Sequence, residues 1–143
     1  MKLLLKLLGI GLVSLLATNT ALAEKKEMPE QLDGTTRVSA EELIELVETA
    51  PDLVIIDARK LSDHAKGWIE GAISLPNTET NEASLAKHIP TKTTPVLFYC
   101  NGVKCGRSAE SAKKALSLGY SKIYWFRGGM DEWETKGYPV IKS

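Results

Sequence analysis

Three short runs of consecutive apolar residues divide the chain into segments of similar length. The runs are LVIID (53–57), VLFYC (96–100) and KIYWF (122–126). Short continuous runs rich in β-branched and aromatic residues are typical of strands that are buried on both faces, as in a parallel sheet. Each run is therefore predicted to be a strand. A turn at Gly71 and one further brief strand are predicted within residues 68–76.

Helical signals lie before, between and after these strands. Ser39 and Glu42 have the spacing of a capping box, which predicts a helix that begins near Ser39 and ends before Pro51. Further helices are predicted over residues 82–89, 108–118 and 130–136. Strands that alternate with helices predict an α/β domain with a mainly parallel central sheet flanked by helices.

The first 23 residues do not follow this pattern. Lys2 and Lys6 accompany a short apolar stretch, and Ala21-Leu22-Ala23 has the form of a signal-peptidase site. The uninterrupted apolar run is too short to cross a bilayer, which favours a secretory signal peptide over residues 1–23. The alternative is an uncleaved N-terminal anchor. We expect a flexible leader over 24–34, a domain over 35–143, and a periplasmic or secreted location.

The charge balance limits the classes of partner. The 143 residues have a net charge of zero, and without residues 1–23 the remaining 120 residues carry 16 basic and 18 acidic side chains. This near-neutral balance gives no electrostatic reason to bind nucleic acid or an anionic membrane. We therefore expect no nucleic-acid partner and no stable membrane association after cleavage. The small size and the lack of an obvious apolar stripe lead us to expect a monomer.

Both cysteines of the chain lie in the loop that follows the VLFYC run. Cys100 ends the predicted strand, at the edge of the sheet where parallel α/β proteins place their sites. The amino end of the next helix and the amides of a tight loop both favour an anion, so we expect the Cys100 thiolate to be stabilised. The alternative is an ordinary turn that contains a buried, inert cysteine.

The rest of this loop has the composition of an anion-binding cradle. Gly102 and Gly106 allow the backbone to curl so that successive N–H groups point inward, and Lys104 and Arg107 add positive charge. Such a cradle suits a nucleophilic sulfur and a sulfonate or phosphate that it attacks.

His64 and His88 show no spacing typical of metal ligands, and we expect neither a metal nor a cofactor.

Five ordered motifs resemble the single-domain rhodanese family of sulfurtransferases over residues 35–140. LVIIDAR (53–59) is similar to the family's strand ending in Asp-x-Arg, and FYC (98–100) is similar to the strand that leads to its nucleophile. GWIEGAI (67–73) is similar to its G-H-I-x-G-A-x motif, with Trp68 at the usual histidine. The helix after the nucleophile and the closing L-x-G-G-x-x-x-W motif are matched by GRSAESAKKALSLGY (106–120) and FRGGMDEW (126–133).

The resemblance implies a ping-pong sulfur transfer. Cys100 would attack the outer sulfur of thiosulfate or of a persulfide donor, carry it as a persulfide, and pass it to a thiophilic acceptor such as a thiol. Asp57 and Arg59 would support the loop or the neighbouring strands. The residues that would bind the small sulfur-containing anion are Asn101, Gly102, Val103, Lys104, Cys105, Gly106 and Arg107.

The loop departs from the family's usual C-x-x-G-x-R pattern. Cys105 stands at the fifth position after Cys100, where arginine is usual, and Arg107 stands at the seventh. Cys105 would resolve Cys100 by forming an intraloop disulfide, act as a second sulfur carrier, or pack beneath the loop. A disulfide would require a periplasmic thiol reductant as a partner. The alternatives to sulfur transfer are a thiol-disulfide redox switch, a non-enzymatic binding module of the same fold and, least favoured by the C-x6-R spacing, a phosphatase.

Overall fold

The computed structural model describes residues 26–143. The predicted signal peptide, residues 1–23, and the first two residues of the predicted leader lie outside this range. Among residues 26–143, no helix combines the length and the apolar character that a membrane span requires.

The centre of the fold is a five-stranded sheet in the order β1-β5-β4-β2-β3, and every neighbouring pair of strands is parallel. The α/β class and the parallel sheet are thus confirmed. The three apolar runs form the central strands. The strands are β1 (Thr36–Arg37), β2 (Val54–Asp57), β3 (Ile73–Ser74), β4 (Val96–Tyr99) and β5 (Ile123–Phe126). The two-residue strand β1 was not predicted, because it is too short to show a pattern.

Helices cover both faces of the sheet. The predicted capping box is present, with Ser39 and Glu42 bonded to each other's backbone. A four-residue helix at 61–64, too short to show periodicity, was not predicted. The helices are α1 (Ala40–Thr49), α2 (Leu61–His64), α3 (Glu82–His88), α4 (Arg107–Ser117) and α5 (Gly129–Thr135), with a short 3-10 helix at Asn77–Glu79.

Strand β4 lies between the two halves of the core. Its alternate side chains face opposite ways, so Phe98 packs with the alanines of α4 and with Leu85 of α3. Leu97 and Tyr99 pack with Leu43 of α1 on the other face. All four β4 side chains are buried, and each large apolar one contributes about 1.5–3 kcal/mol to stability. The strand that ends at the predicted nucleophile is therefore fixed on both faces.

Residues 26–34, the described part of the predicted leader, lie against the domain. The backbone N–H of Met28 donates to the carbonyl oxygen of Val103 at 2.6 Å. The Arg127 guanidinium donates to the carbonyl oxygens of Met28 at 2.6 Å and Pro29 at 2.9 Å. Leu32 is buried in the core beside α4. These contacts are made largely by backbone atoms, so composition alone did not indicate them.

A buried carboxylate ties the ends of β2 and β4 together. Asp57, the last residue of β2, accepts hydrogen bonds from Arg59 Nε at 2.9 Å, Arg59 Nη2 at 2.7 Å and Tyr99 Oη at 3.2 Å. Nδ1 of His64 lies 2.8 Å from the same carboxylate. Arg59 Nη2 also donates to the carbonyl oxygen of Gly67 at 2.7 Å. The Asp57 side chain therefore joins β2 and β4, and through Arg59 and His64 it also holds the connection that runs from residue 58 to residue 69.

The ionised state of Asp57 is favoured by these partners. Burial by itself raises the pKa of Asp57, but the hydrogen bonds from Arg59 and His64 and the positive charge of Arg59 outweigh burial and hold the pKa below its ordinary value. Arg59 is correspondingly held in its charged form, since the hydrogen bond and charge of Asp57 outweigh burial and raise its pKa. The pair is therefore fully charged at neutral pH.

Replacing Asp57→Asn should lower the free energy of unfolding by about 3 kcal/mol, because Arg59 would be left as a buried charge without a counterion. Urea unfolding of the two proteins at pH 7 measures this difference. Glu41→Gln is the matched control, since Glu41 pairs with Lys136 at the exposed surface. It should leave the unfolding midpoint nearly unchanged.

The difference between wild type and Asp57→Asn should also depend on pH. A carboxylate whose pKa is lowered in the folded state stabilises the fold fully at neutral pH. That stabilisation is lost as the pH falls through the lowered pKa, so the difference should shrink only below about pH 4. If Asp57→Asn lowers the free energy of unfolding at pH 7 by less than about 1 kcal/mol, as loss of an exposed ion pair would, the role given to Asp57 is contradicted.

Candidate active site

Cys100 is the first residue after β4 and lies at the carboxyl edge of the sheet. It is 1% exposed. Its Sγ lies 3.3 Å from Ser108 Oγ, in the first turn of α4, and 3.2 Å from the carbonyl oxygen of Cys105. The positive end of the α4 dipole favours an anion at this position. The structure thus brings the predicted nucleophile to the amino end of α4.

Ser108 is a site residue that the sequence did not single out. It is buried, and Trp125 Nε1 donates to its Oγ at 3.0 Å. Because that oxygen already accepts from Trp125, its own proton is free to be donated to Cys100 Sγ. The sequence indicated a role for Ser108 only through its position, one residue after Arg107 at the start of a predicted helix.

The backbone of the loop leaves several N–H groups available to an anion. The Cys105 amide donates to the carbonyl oxygen of Gly102 at 2.9 Å and closes a turn. Among the residues that the structure describes, the amides of Val103, Lys104 and Gly106 have no such acceptor. Unpaired amides in a tight turn form an anion-binding nest.

The start of α5 braces the other side of the loop. Backbone N–H groups of Met130 and Asp131 donate to the carbonyl oxygens of Cys100 at 3.0 Å and Asn101 at 2.8 Å. This close approach requires glycine at two places. A Cβ atom on Gly102 would overlap the Asp131 carboxylate, and one on Gly129 would overlap the Cys100 carbonyl. Gly129, the first residue of α5, therefore serves the loop directly.

A cleft of about 290 Å³ opens over this loop. Six of the seven residues predicted to bind substrate line it, and Lys60, Asp63 and Asp131 complete its wall. The predicted residues are Asn101, Gly102, Lys104, Cys105, Gly106 and Arg107. Val103 instead faces a neighbouring depression. Three cationic and two acidic side chains surround the cleft, which leaves a small excess of positive charge for an anion.

Arg107 is oriented by residues from outside the loop. Its Nη1 donates to Asn77 Oδ1 at 2.6 Å, and Asn77 Nδ2 donates to Glu110 Oε2 at 2.6 Å. Lys114 Nζ donates to the carbonyl oxygen of Asn77 at 2.6 Å. Asn77 is buried in the 3-10 helix after β3. No sequence pattern connects Asn77 with Arg107, thirty residues away.

The two cysteines are paired as a disulfide. Their Cα atoms are 6.3 Å apart, within the range that a disulfide spans. Cys105 is partly exposed and lines the cleft, whereas Cys100 lies beneath it. The structure thus places Cys105 in an intraloop pair, while its role in resolving Cys100 stays a prediction. In this state the predicted nucleophile, Cys100, has no free thiol.

Asp57 and Arg59 do not line the cleft, and their side chains bond to each other instead. Beside them, the His64 ring stacks on Trp68 with 4.6 Å between centroids and 15° between planes. Trp68 occupies the position at which the family motif has histidine. His64 therefore provides an imidazole four residues earlier, in contact with the Asp57 carboxylate.

The chain is similar in sequence and in structure to known proteins. The chain is 31% identical over 99 residues to thiosulfate sulfurtransferase GlpE of Tolumonas auensis, covering 68% of this chain and 87% of that protein. It is 27% identical over 141 residues to the uncharacterized protein YibN of Escherichia coli K12, covering 96% and 91%. The human single-domain sulfurtransferase TSTD1 superposes with a TM-score of 0.61 at 26% identity, covering 71% and 97%.

The family match agrees with the site geometry. Residues 39–136, well over half of the chain, match the rhodanese-like domain. The matched residues include every helix from α1 to α5, and the cysteine loop lies within them. Strands β2 to β5, Cys100 directly after β4, and Gly128 and Gly129 all fall in the matched region. The chain therefore belongs to the rhodanese-like domain family.

Proposed function

We propose that the protein is a sulfurtransferase that carries sulfane sulfur as a persulfide on Cys100. The observation that carries this proposal is the placement of Cys100 at the end of a buried strand, with its sulfur against Ser108 and the amino end of α4. Relatives named as sulfurtransferases support the same class of reaction. Thiosulfate or a persulfide is the donor, and a thiol is the acceptor.

The transfer occurs in two steps. In the first, the Cys100 thiolate attacks the outer sulfur of thiosulfate, a new sulfur–sulfur bond forms, and sulfite leaves with the electron pair of the broken bond. The free amides of the loop stabilise the negative terminal sulfur of the Cys100 persulfide. In the second, an acceptor thiolate takes the terminal sulfur and restores the Cys100 thiolate.

The longer loop still offers a cation to the donor. Arg107 comes two residues later than the family's arginine, yet it lines the cleft because Asn77 holds its guanidinium at the edge. Lys60 and Lys104 line the same cleft. We propose that these three cations orient the sulfonate of thiosulfate while its outer sulfur points to Cys100.

We propose that the protein acts in the periplasm or outside the cell, as a monomer, after removal of residues 1–23. The sequence of the first 23 residues supports export, and the partners would be small sulfur-containing anions, thiols and a thiol reductant. No cofactor enters the two steps of the transfer.

Intact-mass measurement tests the transfer. The protein is reduced, freed of reductant and incubated with thiosulfate. In the Cys105→Ser protein, in which Cys100 has no partner for a disulfide, a persulfide carrier gains one sulfur atom, and the same amount of sulfite appears in solution. Cys100→Ser should gain none while its urea unfolding midpoint stays within the range of the wild type. If the reduced, folded protein forms neither a persulfide nor sulfite, thiosulfate transfer is excluded.

Ser108→Ala should reduce the reactivity of Cys100. Losing a hydrogen bond to a charged sulfur costs about 1.5–3 kcal/mol, and part of this effect is offset because a more basic thiolate is a better nucleophile, so the rate of alkylation by iodoacetamide at pH 7 should fall about threefold to tenfold. The measurement uses the Cys105→Ser background, in which Cys100 is the one remaining thiol. At high pH the variant should react at least as fast, because Cys100 is then ionised in both proteins. Ser108→Thr, which keeps the hydroxyl, should retain most of the reactivity, and equal rates at pH 7 for Ser108→Ala would refute this role.

Export is tested in a Gram-negative host that expresses the full chain. The protein recovered from the periplasmic fraction should begin at Glu24 and elute from a sizing column as a single chain. Ala23→Asp should block cleavage, because a signal-peptidase site requires a small residue there. An intact amino terminus on the wild-type protein would instead support the uncleaved anchor.

A further inference from the structure

The transfer proposed above uses Cys100 and leaves the second cysteine without a role. The structure pairs that cysteine with the nucleophile. We propose that Cys105 completes a reductive cycle: it attacks the Cys100 sulfur of the persulfide and expels the terminal sulfur as hydrosulfide. The intraloop disulfide is then the product of the reaction. This inference rests on the proposed persulfide chemistry and adds sulfide release to it.

The loop geometry brings Cys105 to the correct sulfur atom. The hydrogen bond from the Cys105 amide to the Gly102 carbonyl folds the chain back over Cys100. The Cys105 carbonyl oxygen also lies 3.2 Å from Cys100 Sγ, so backbone as well as side chain is beside the nucleophile. Because the two sulfurs are already bonded across this turn, resolution needs no rearrangement of the surrounding domain.

The resolving step balances in atoms and charge. The Cys105 sulfur forms a bond with Cys100 Sγ, and the bond between Cys100 Sγ and the terminal sulfur breaks. The terminal sulfur leaves with that electron pair and, with the proton of the Cys105 thiol, becomes hydrosulfide. The two cysteines are oxidised by two electrons in total, and the sulfane sulfur is reduced by the same two.

The exposure of the two sulfurs determines how the disulfide is reopened. Cys105 lines the cleft, whereas Cys100 is 1% exposed, so an incoming thiolate reaches the Cys105 sulfur. Cys100 then departs as a thiolate, which the Ser108 hydroxyl and the amino end of α4 stabilise. The reductant becomes attached to Cys105 as a mixed disulfide, which its own second thiol resolves. A dithiol is therefore the class of reductant that this site fits.

The complete cycle consumes one thiosulfate and one dithiol. Its products are sulfite, hydrosulfide and the disulfide of the reductant, and the two protons of the dithiol pass to sulfite and to sulfide. An acceptor thiol that takes the persulfide sulfur competes with Cys105. The same loop thus supports transfer when an acceptor is near and sulfide release when it is not.

A single-turnover experiment without free thiol tests this route. Reduced protein, freed of reductant, is mixed with a limiting amount of thiosulfate, and sulfite, hydrosulfide and intact mass are followed together. The wild type should release about one hydrosulfide per sulfite and end two hydrogens lighter than its reduced form. Cys105→Ser should release sulfite but no hydrosulfide, and should retain the added sulfur. The wild-type rate of hydrosulfide release should not change with protein concentration, as an intramolecular step requires.

The outcomes separate the two proposals. If the wild type and Cys105→Ser both retain the persulfide, Cys105 does not resolve it, and persulfide transfer still stands. Hydrosulfide release from Cys105→Ser at the wild-type rate would also overturn the intraloop route. If neither protein releases sulfite, the persulfide chemistry itself fails and this inference fails with it. Cys105→Ala should behave like Cys105→Ser if the loss of the thiol is the cause. An unfolding curve for each variant shows whether its fold is disturbed.

Discussion

A buried carboxylate can remain charged only if its surroundings supply partners, and Asp57 draws those partners from several parts of the fold. Arg59 and His64 come from the connection after β2, and Tyr99 comes from the end of β4. The residue after Tyr99 is Cys100. The ion pair therefore fixes the point at which the chain leaves the sheet, and with it the start of the reactive loop. The same few hydrogen bonds therefore join the ends of β2 and β4 and hold Tyr99, the residue before Cys100.

The sequence predicted those parts of the fold whose cause is local. The three apolar runs became the central strands, and the capping box at Ser39 became the start of α1, because burial on both faces and a helix start leave a local pattern. Strand β1 and helix α2 have two and four residues. Strand β1 forms because it pairs with β5, and α2 forms within the connection around Asp57. Neither segment is long enough to show a periodic pattern of its own.

The candidate site divides in the same way. Its loop is continuous in sequence, so residues 100–107 could be named as a group, and the cleft contains six of the seven predicted binding residues. The residues that orient this loop come from elsewhere: Asn77 holds Arg107, Trp125 bonds to Ser108, and α5 braces Asn101. These contacts depend on how elements pack, and a single sequence does not record them. The sequence thus indicated which residues form the loop, and packing determines their geometry.

The contact between Arg127 and Pro29 joins residues 98 positions apart. Closing a contact of such high sequence separation costs more chain entropy than bringing together Cys100 and Cys105, which are separated by only five residues. In an oxidising compartment the two thiols would therefore meet before the amino-terminal segment closes against the back of their loop. A newly made chain would complete its fold with the disulfide already in place, and its first encounter with a reductant would be its activation.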